Sequence, residues 1–96
     1  MRVVLAKRVV DFVRRLPPEP KRRLRKALAD LAREEGDIKA LEPPLDGYCR
    51  LRVGSYRVVF SYGERQTIEC IYVEQRSILY ELVLERLLDR LRGDED

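Results

Sequence analysis

Two runs of alternating apolar and polar residues flank Gly54 and Ser55, and they constrain the fold more than any other part of the chain. The runs cover 48–53 and 56–62, and their period of two is typical of strands. A two-residue loop with glycine in its first position favours a type II′ turn, whose twist matches that of the strands it joins. The sequence therefore predicts an antiparallel hairpin with a fixed register.

This register divides the hairpin side chains between two faces of the sheet. One face is apolar and is expected to be core; it carries Cys49, Leu51, Val53, Tyr56, Val58 and Phe60. The other face carries Tyr48, Arg50, Arg52, Arg57 and Val59. Arg52 lies directly opposite Arg57 in this register, and like charges in that position destabilise a sheet. Stability alone therefore does not explain the arginines.

A phosphate held between the arginines would turn their repulsion into attraction, because a guanidinium matches the geometry of phosphate oxygens. We therefore favour an anion-binding face. The alternative is internal neutralisation of the arginines by Glu69, Glu74 or an acidic residue of a loop.

Arg76 and Tyr80 follow the last predicted strand and are expected to lie beside the arginine-bearing face. Several cations near a phenol favour the phenolate, so Tyr80 is a candidate general base. Two alternatives stay open. Tyr80 packs as an ordinary residue of an amphipathic helix, or Tyr72 is the tyrosine that faces the site.

The rest of the chain supplies helices and further strands. Before the hairpin, the spacing of apolar residues and the positions of proline and glycine predict a strand at 2–6 and a helix at 7–16. They also predict a second helix from Pro20 to a stop at Gly36, followed by an ordered loop at 37–47 that its apolar residues hold in place. After the hairpin they predict a third strand at 67–74 and an apolar helix at 78–91. The order β-α-α-β-β-β-α predicts an α+β fold, an antiparallel sheet with an N-terminal αα-hairpin and a C-terminal helix packed on it.

Composition limits the chemistry open to such a chain. Its 96 residues suit a single domain over 1–96, with an acidic tail at 93–96 that is expected to be disordered. The chain has two cysteines and no histidine, so the usual zinc ligand sets and a Ser-His-Asp triad are excluded. We expect no metal and no cofactor. No apolar run is long enough to cross a bilayer, so no membrane partner and a cytoplasmic location are expected.

Positive charge is concentrated near the start of the chain. Residues 1–33 carry 11 Lys and Arg against 3 Asp and Glu. Such a concentration favours an anionic partner such as a nucleic acid, although a basic helix face that is simply solvated is an equal alternative.

The stretch from Tyr48 to Phe60, followed by Ile71 to Tyr80, resembles the signature of the RelE/ParE superfamily of toxin–antitoxin toxins, the RelE type more than the ParE type. In that family an R-L-R-V-G-x-Y-R-V hairpin precedes a strand that ends in a basic segment and a tyrosine. The predicted order of elements also matches the family's fold, so the resemblance covers nearly the whole chain.

The resemblance implies a ribosome-dependent endoribonuclease, an mRNA interferase that inhibits translation by cutting mRNA in the decoding site. Attack of a ribose 2′-OH on the adjacent phosphate needs a base, cations for the phosphorane and an acid. The family pattern implies Tyr80 as the base, with Arg57 and Arg76 stabilising the phosphate and the transition state. Arg50 and Arg52 are implied to orient the RNA, and Tyr48, on the same face, is a further candidate for binding it.

The chain departs from the RelE pattern in three respects, one of which is a last predicted helix that is longer and more apolar than nuclease function would require. Arginines occupy positions 50 and 52, where the best-understood RelE type often has lysines, and Gln75 and Ser77 replace a histidine and a second basic residue. A ParE-like inhibitor of DNA gyrase and a non-catalytic relative that only binds an antitoxin are therefore the alternatives. The partners implied are a cognate antitoxin and mRNA on the ribosome, and a homodimer through the C-terminal helix is allowed.

Overall fold

The structure is a computed structural model that describes residues 1–75 and Asp89. Its elements follow in the order β1 (Arg2–Leu5), α1 (Lys7–Arg14), α2 (Pro18–Leu31), β2 (Asp37–Ala40), β3 (Cys49–Val53), β4 (Tyr56–Gly63) and β5 (Thr67–Gln75). The predicted α+β class is confirmed. Apart from Asp89, the predicted helix at 78–91 lies outside the described residues, as do Arg76, Tyr80 and the tail at 93–96.

The five strands form one mixed sheet in the order β1-β5-β4-β3-β2. Strands β2 to β5 pair antiparallel, whereas β1 pairs parallel with β5, with Arg2 opposite Thr67. The prediction of a purely antiparallel sheet is therefore wrong. Parallel neighbours need a long crossover between them. Here the two strands are joined through the rest of the described chain, so no local pattern in the sequence reveals their pairing.

A second correction concerns residues 37–40, which were expected to belong to a loop and instead form the edge strand β2. Ile38 is the one residue of this strand that packs against the main core, and the other three are exposed. One inward apolar residue is not enough to establish the alternating pattern from which a strand is predicted. The strand exists because β3 supplies its backbone partners.

Helices α1 and α2 cover one face of the sheet. Their inward residues recur at helical spacing, with Val9 and Val13 buried on α1 and Leu24, Leu28 and Leu31 buried on α2. Both helix ends differ from prediction. Helix α1 ends at residue 14, and α2 runs from residue 18 to 31 instead of continuing to the glycine at 36. The second helix ends with its last buried leucine, and the three residues before Gly36 are charged and exposed.

The main core lies between these helices and the sheet, and it includes Leu51, Val58, Phe60 and Ile68. A smaller cluster lies on the opposite face around Val59, which is 0% exposed. The cluster also contains Leu41, Leu45, Tyr48, Ile71 and Tyr72. The loop between β2 and β3 is thus held by Leu41 and Leu45 as predicted. Among the described residues, no helix has the length and apolar character needed to span a bilayer.

Candidate functional site

The hairpin of β3 and β4 has the predicted register. Arg52 pairs with Arg57, and Val53 pairs with Tyr56 on either side of the turn. Gly54 has a φ of +59°, whereas Ser55 keeps a negative φ, as a type II′ turn requires. Turn chemistry therefore brings the two arginines side by side.

The sheet face that points away from the helices carries four charged residues in one line across four strands. Asp37 of β2 lies opposite Arg52, Arg52 opposite Arg57, and Arg57 opposite Glu74 of β5. We call these four residues the charged row. Side chains directly opposite one another on antiparallel strands have Cβ atoms about 4.5–5.5 Å apart. The two arginines are therefore close enough for their charges to repel each other, and each has a carboxylate as its neighbour on the other side.

Arg57 is the charged row's buried member, with 7% of its surface exposed. Its Nη1 donates to the carbonyl oxygens of Gly54 at 3.1 Å and Tyr56 at 3.0 Å. Both acceptors belong to the hairpin turn and its edge, so the turn fixes the position of the guanidinium. A cation held in this way loses little conformational freedom when it binds an anion.

Arg52 and Arg50 are more accessible. Arg52 is exposed, and within residues 1–75 it makes no hydrogen bond or ion pair. Arg50 lies diagonally from Asp37, with its Nη1 3.4 Å from both the Oδ1 and the backbone oxygen of that residue. This distance is long for a charge-assisted hydrogen bond. Both guanidiniums therefore keep donors available for an external anion.

A tyrosine and a carboxylate meet beside the buried arginine. The Tyr72 hydroxyl donates to Oε2 of Glu74 at 2.6 Å, and the two residues alternate onto the same face of β5. Oε1 of Glu74 is buried, and it has no hydrogen-bond partner in the part of the chain that the structure describes. We call Tyr72 and Glu74 the Tyr–Glu pair.

Both residues of this pair are candidates on sequence grounds, but no pattern in the sequence predicts that they meet. A bulge in β5 opposite Val59 and Phe60 shifts the register, so that Val59 pairs with Tyr72 and Phe60 with Cys70. Glu69, the other candidate carboxylate for neutralising the arginines, is exposed beside Ser61, away from the charged row. Neutralisation in the charged row therefore involves Asp37 and Glu74.

The remaining predicted site residues divide into two groups. Tyr48 is half-buried in the small cluster around Val59, on the same face as the charged row. Arg76 and Tyr80 are outside the described residues, so their predicted places next to this face stay predictions. No group of three or more Cys, Asp or Glu residues in the described part of the chain could hold a metal ion.

Two thiols and one phenol of the described chain are held neutral. Burial raises the pKa of the Cys70 thiol to about 12 and also raises the pKa of Cys49. The hydrogen bond that Tyr62 donates to Glu34, at 2.8 Å, raises the pKa of that phenol to about 12. These groups are therefore poor nucleophiles and bases near neutral pH.

Several solved toxin structures have the same architecture. A chain of the RelBE2 toxin–antitoxin complex from Mycobacterium tuberculosis is 24% identical with a TM-score of 0.69, covering 78% of this chain and 96% of its own. A YoeB/ParE toxin from Agrobacterium tumefaciens is 20% identical with a TM-score of 0.65, covering 80% of this chain and 100% of its own. The isolated RelE toxin of Escherichia coli is 19% identical with a TM-score of 0.63, covering 90% of this chain and 97% of its own.

Comparison with protein-family models gives no match, and comparison with curated proteins gives none either. The likeness therefore rests on three-dimensional structure, where it spans most of this chain and nearly all of each matched chain. The resemblance predicted from the hairpin motif is confirmed at the level of the fold, which is that of the RelE/ParE superfamily toxins.

Proposed function

We propose that this chain is the toxin of a toxin–antitoxin module and that it cleaves mRNA on the ribosome. The observation that carries the proposal is the charged row, in which Arg52 and Arg57 lie directly opposite each other. Arg50 lies on the same face, two residues from Arg52. Such crowding of cations is unfavourable for a sheet by itself and becomes favourable when an anion lies between them.

RNA supplies the anion and the reactive group together. Arg57, fixed by the hairpin turn, holds the phosphate that is attacked, while Arg50 and Arg52 bind the flanking backbone. Negative charge grows on the phosphate oxygens as the ribose 2′-oxygen attacks, and a preorganised guanidinium stabilises that charge. The family pattern adds Arg76 as a further cation and Tyr80 as a proton-transfer group. No metal is required in this mechanism.

The partner proposed for the chain is an antitoxin protein, because the RelBE2 structure whose fold it shares is a toxin–antitoxin complex. The basic surface of residues 1–33 suits an acidic segment of such a protein as well as it suits RNA. A homodimer stays a prediction that a measurement of molar mass in solution would test.

A second candidate function is the non-catalytic one, in which the chain inhibits DNA gyrase or only binds its antitoxin. The carboxylates at both ends of the charged row favour it. Asp37 and Glu74 offset the formal charge of Arg52 and Arg57, and this lowers the attraction of the face for a polyanion.

Induced expression in a bacterial host, with growth followed and transcript ends mapped, distinguishes these functions. We expect growth arrest and codon-phased cuts in translated messages, and we expect Tyr80→Phe to abolish the cuts. Tyr62→Phe is the matched control, because it also removes one hydroxyl but lies at the other end of β4. Arrest without cuts would support the gyrase function, and a host that keeps growing would contradict the toxin role.

A further inference from the structure

We propose that Glu74 is the general base of this site and that Tyr72 orients its carboxylate. The inference rests on the proposed RNA-cleaving function and goes beyond the family pattern, which implies a tyrosine as the base. It starts from the Tyr–Glu pair, whose 2.6 Å hydrogen bond occupies Oε2 and leaves Oε1 buried without a partner among the described residues.

A buried carboxylate oxygen that lacks a donor raises the free energy of the folded chain. A ligand hydroxyl that reaches Oε1 would remove this penalty, so the site favours a ligand that brings a hydroxyl donor. The ribose 2′-OH is such a donor, and it is also the group that must lose a proton in the cleavage reaction. The same oxygen of Glu74 would therefore bind the hydroxyl and accept its proton.

The position of Glu74 suits this role. It is the direct cross-strand neighbour of Arg57, the guanidinium that the hairpin turn fixes. In RNA the 2′-hydroxyl and the phosphate that it attacks are carried by adjacent carbon atoms of one ribose. When Arg57 holds this phosphate, the attacking 2′-OH of the same ribose is close by and within reach of the neighbouring side chain on β5. A base and a phosphate-binding cation on adjacent strands can act on the same nucleotide.

The arginines and Asp37 on this face are poorly suited to accept the proton. Arginine does not lose its proton at neutral pH, so Arg50, Arg52 and Arg57 are cations only. The chain has no histidine. Asp37 lies at the far end of the charged row, with 58% of its side chain exposed and its Oδ1 3.4 Å from Arg50. A carboxylate that is half-buried and oriented by a second residue is better preorganised.

The step balances as a transesterification. Glu74 takes the proton of the 2′-OH, the 2′-oxygen forms a bond to phosphorus, and the bond from phosphorus to the 5′-oxygen breaks. The 5′-oxygen leaves with a proton from the proton-transfer group of the proposed function, which regains its proton from water, and Glu74 returns its own proton to water. The products are a 2′,3′-cyclic phosphate and a 5′-hydroxyl, with no oxidant, reductant or metal consumed.

Single-turnover cleavage of mRNA on stalled ribosomes tests the assignment. Glu74→Gln keeps the size of the side chain and an oxygen that accepts from Tyr72, but it cannot take a proton. We expect the rate of cleavage to fall by about 10²–10⁴-fold, with RNA affinity unchanged or higher. Glu69→Gln is the matched control, since it makes the same change on the same strand at an exposed position, and it should cleave like the wild type.

An RNA with sulfur in place of the bridging 5′-oxygen separates base from acid. The thiolate leaves without protonation, so this substrate bypasses the acid step only. We expect the Glu74→Gln defect to persist on it, and recovery to the wild-type rate would overturn the assignment as base. Tyr72→Phe provides a second variant that keeps the carboxylate. It should lower kcat with KM unchanged, and a wild-type kcat would overturn the orienting role.

Two results distinguish failure of this inference from failure of the proposed function. Cleavage by the wild type at the same rate as Glu74→Gln would overturn the inference alone. Tighter RNA binding and faster cleavage by Glu74→Gln would also overturn it and would make Glu74 a neutraliser of Arg57. Absence of cleavage by the wild type, with ribosomes and mRNA present, would overturn both.

Discussion

Arg52→Gln should weaken RNA binding while leaving the stability of the fold almost unchanged. Arg52 is exposed and makes no hydrogen bond or ion pair within residues 1–75. In the charged row it lies between Asp37, which attracts it, and Arg57, which repels it. Because these two effects offset each other, the free energy of unfolding should change by less than about 0.5 kcal/mol.

The effect on binding is larger and depends on salt. If Arg50, Arg52 and Arg57 each contact one phosphate of a single strand, the slope of log affinity against log salt is about −0.7 per contact, hence about −2.1 in total. Between 50 and 200 mM salt the affinity should then fall about 18-fold for the wild type. Without Arg52 the slope becomes about −1.4 and the fall about 7-fold.

Fluorescence anisotropy with a labelled single-stranded RNA, measured at four salt concentrations, gives these slopes. Urea unfolding of the same samples gives the stability. Arg65→Gln is the matched control, because it removes the same charge from an exposed position in the turn between β4 and β5, at the opposite end of β4 from the charged row. An unchanged slope for Arg52→Gln, or an equal change in the Arg65→Gln control, would refute phosphate binding by the charged row.

Three further predictions concern the fold. Leu24→Ala empties a fully buried position on α2 and should lower the free energy of unfolding by about 2–5 kcal/mol, measured by urea titration. Gly36→Ala should cost about 1–3 kcal/mol by the same assay, because its φ is +134° and an added Cβ would lie 2.8 Å from Leu51 Cδ1; an unchanged midpoint would contradict this. Burial raises the pKa of Cys70 from 9.0 to about 12, so the stability from its neutral thiol is complete below pH 9 and is lost as pH rises through 12. The loss is at most roughly 4 kcal/mol, and unfolding at several pH values should show a shallower decline for Cys70→Ala than for the wild type.

Much of the hairpin could be predicted because its signals are local. The alternation of residues and the chemistry of the Gly54 turn are together sufficient to predict the pairing of Arg52 with Arg57. Helix boundaries were predicted less well. Helix α2 ends five residues before Gly36, because the burial of its last leucine, not the nearest glycine, sets its end.

The candidate site shows the same division. Residue alternation places three arginines on one face, whereas it leaves Glu74 and Tyr72 only as alternatives. It could not place Glu74 beside Arg57, because the register of β5 depends on a bulge opposite Val59. A one-residue shift changes the face of every following side chain, so the neighbours of Arg57 depend on tertiary pairing.

The sequence by itself determined the elements whose signals span a few residues, namely the hairpin, its two faces, the helical stripes and the absence of histidine chemistry. Only the tertiary structure decided what joins residues far apart in the chain: the parallel pairing of β1 with β5, the edge strand β2 and the meeting of the Tyr–Glu pair with Arg57. The physical reason is that backbone pairing partners are chosen by the whole sheet, whereas residue periodicity records only which side of an element faces the core.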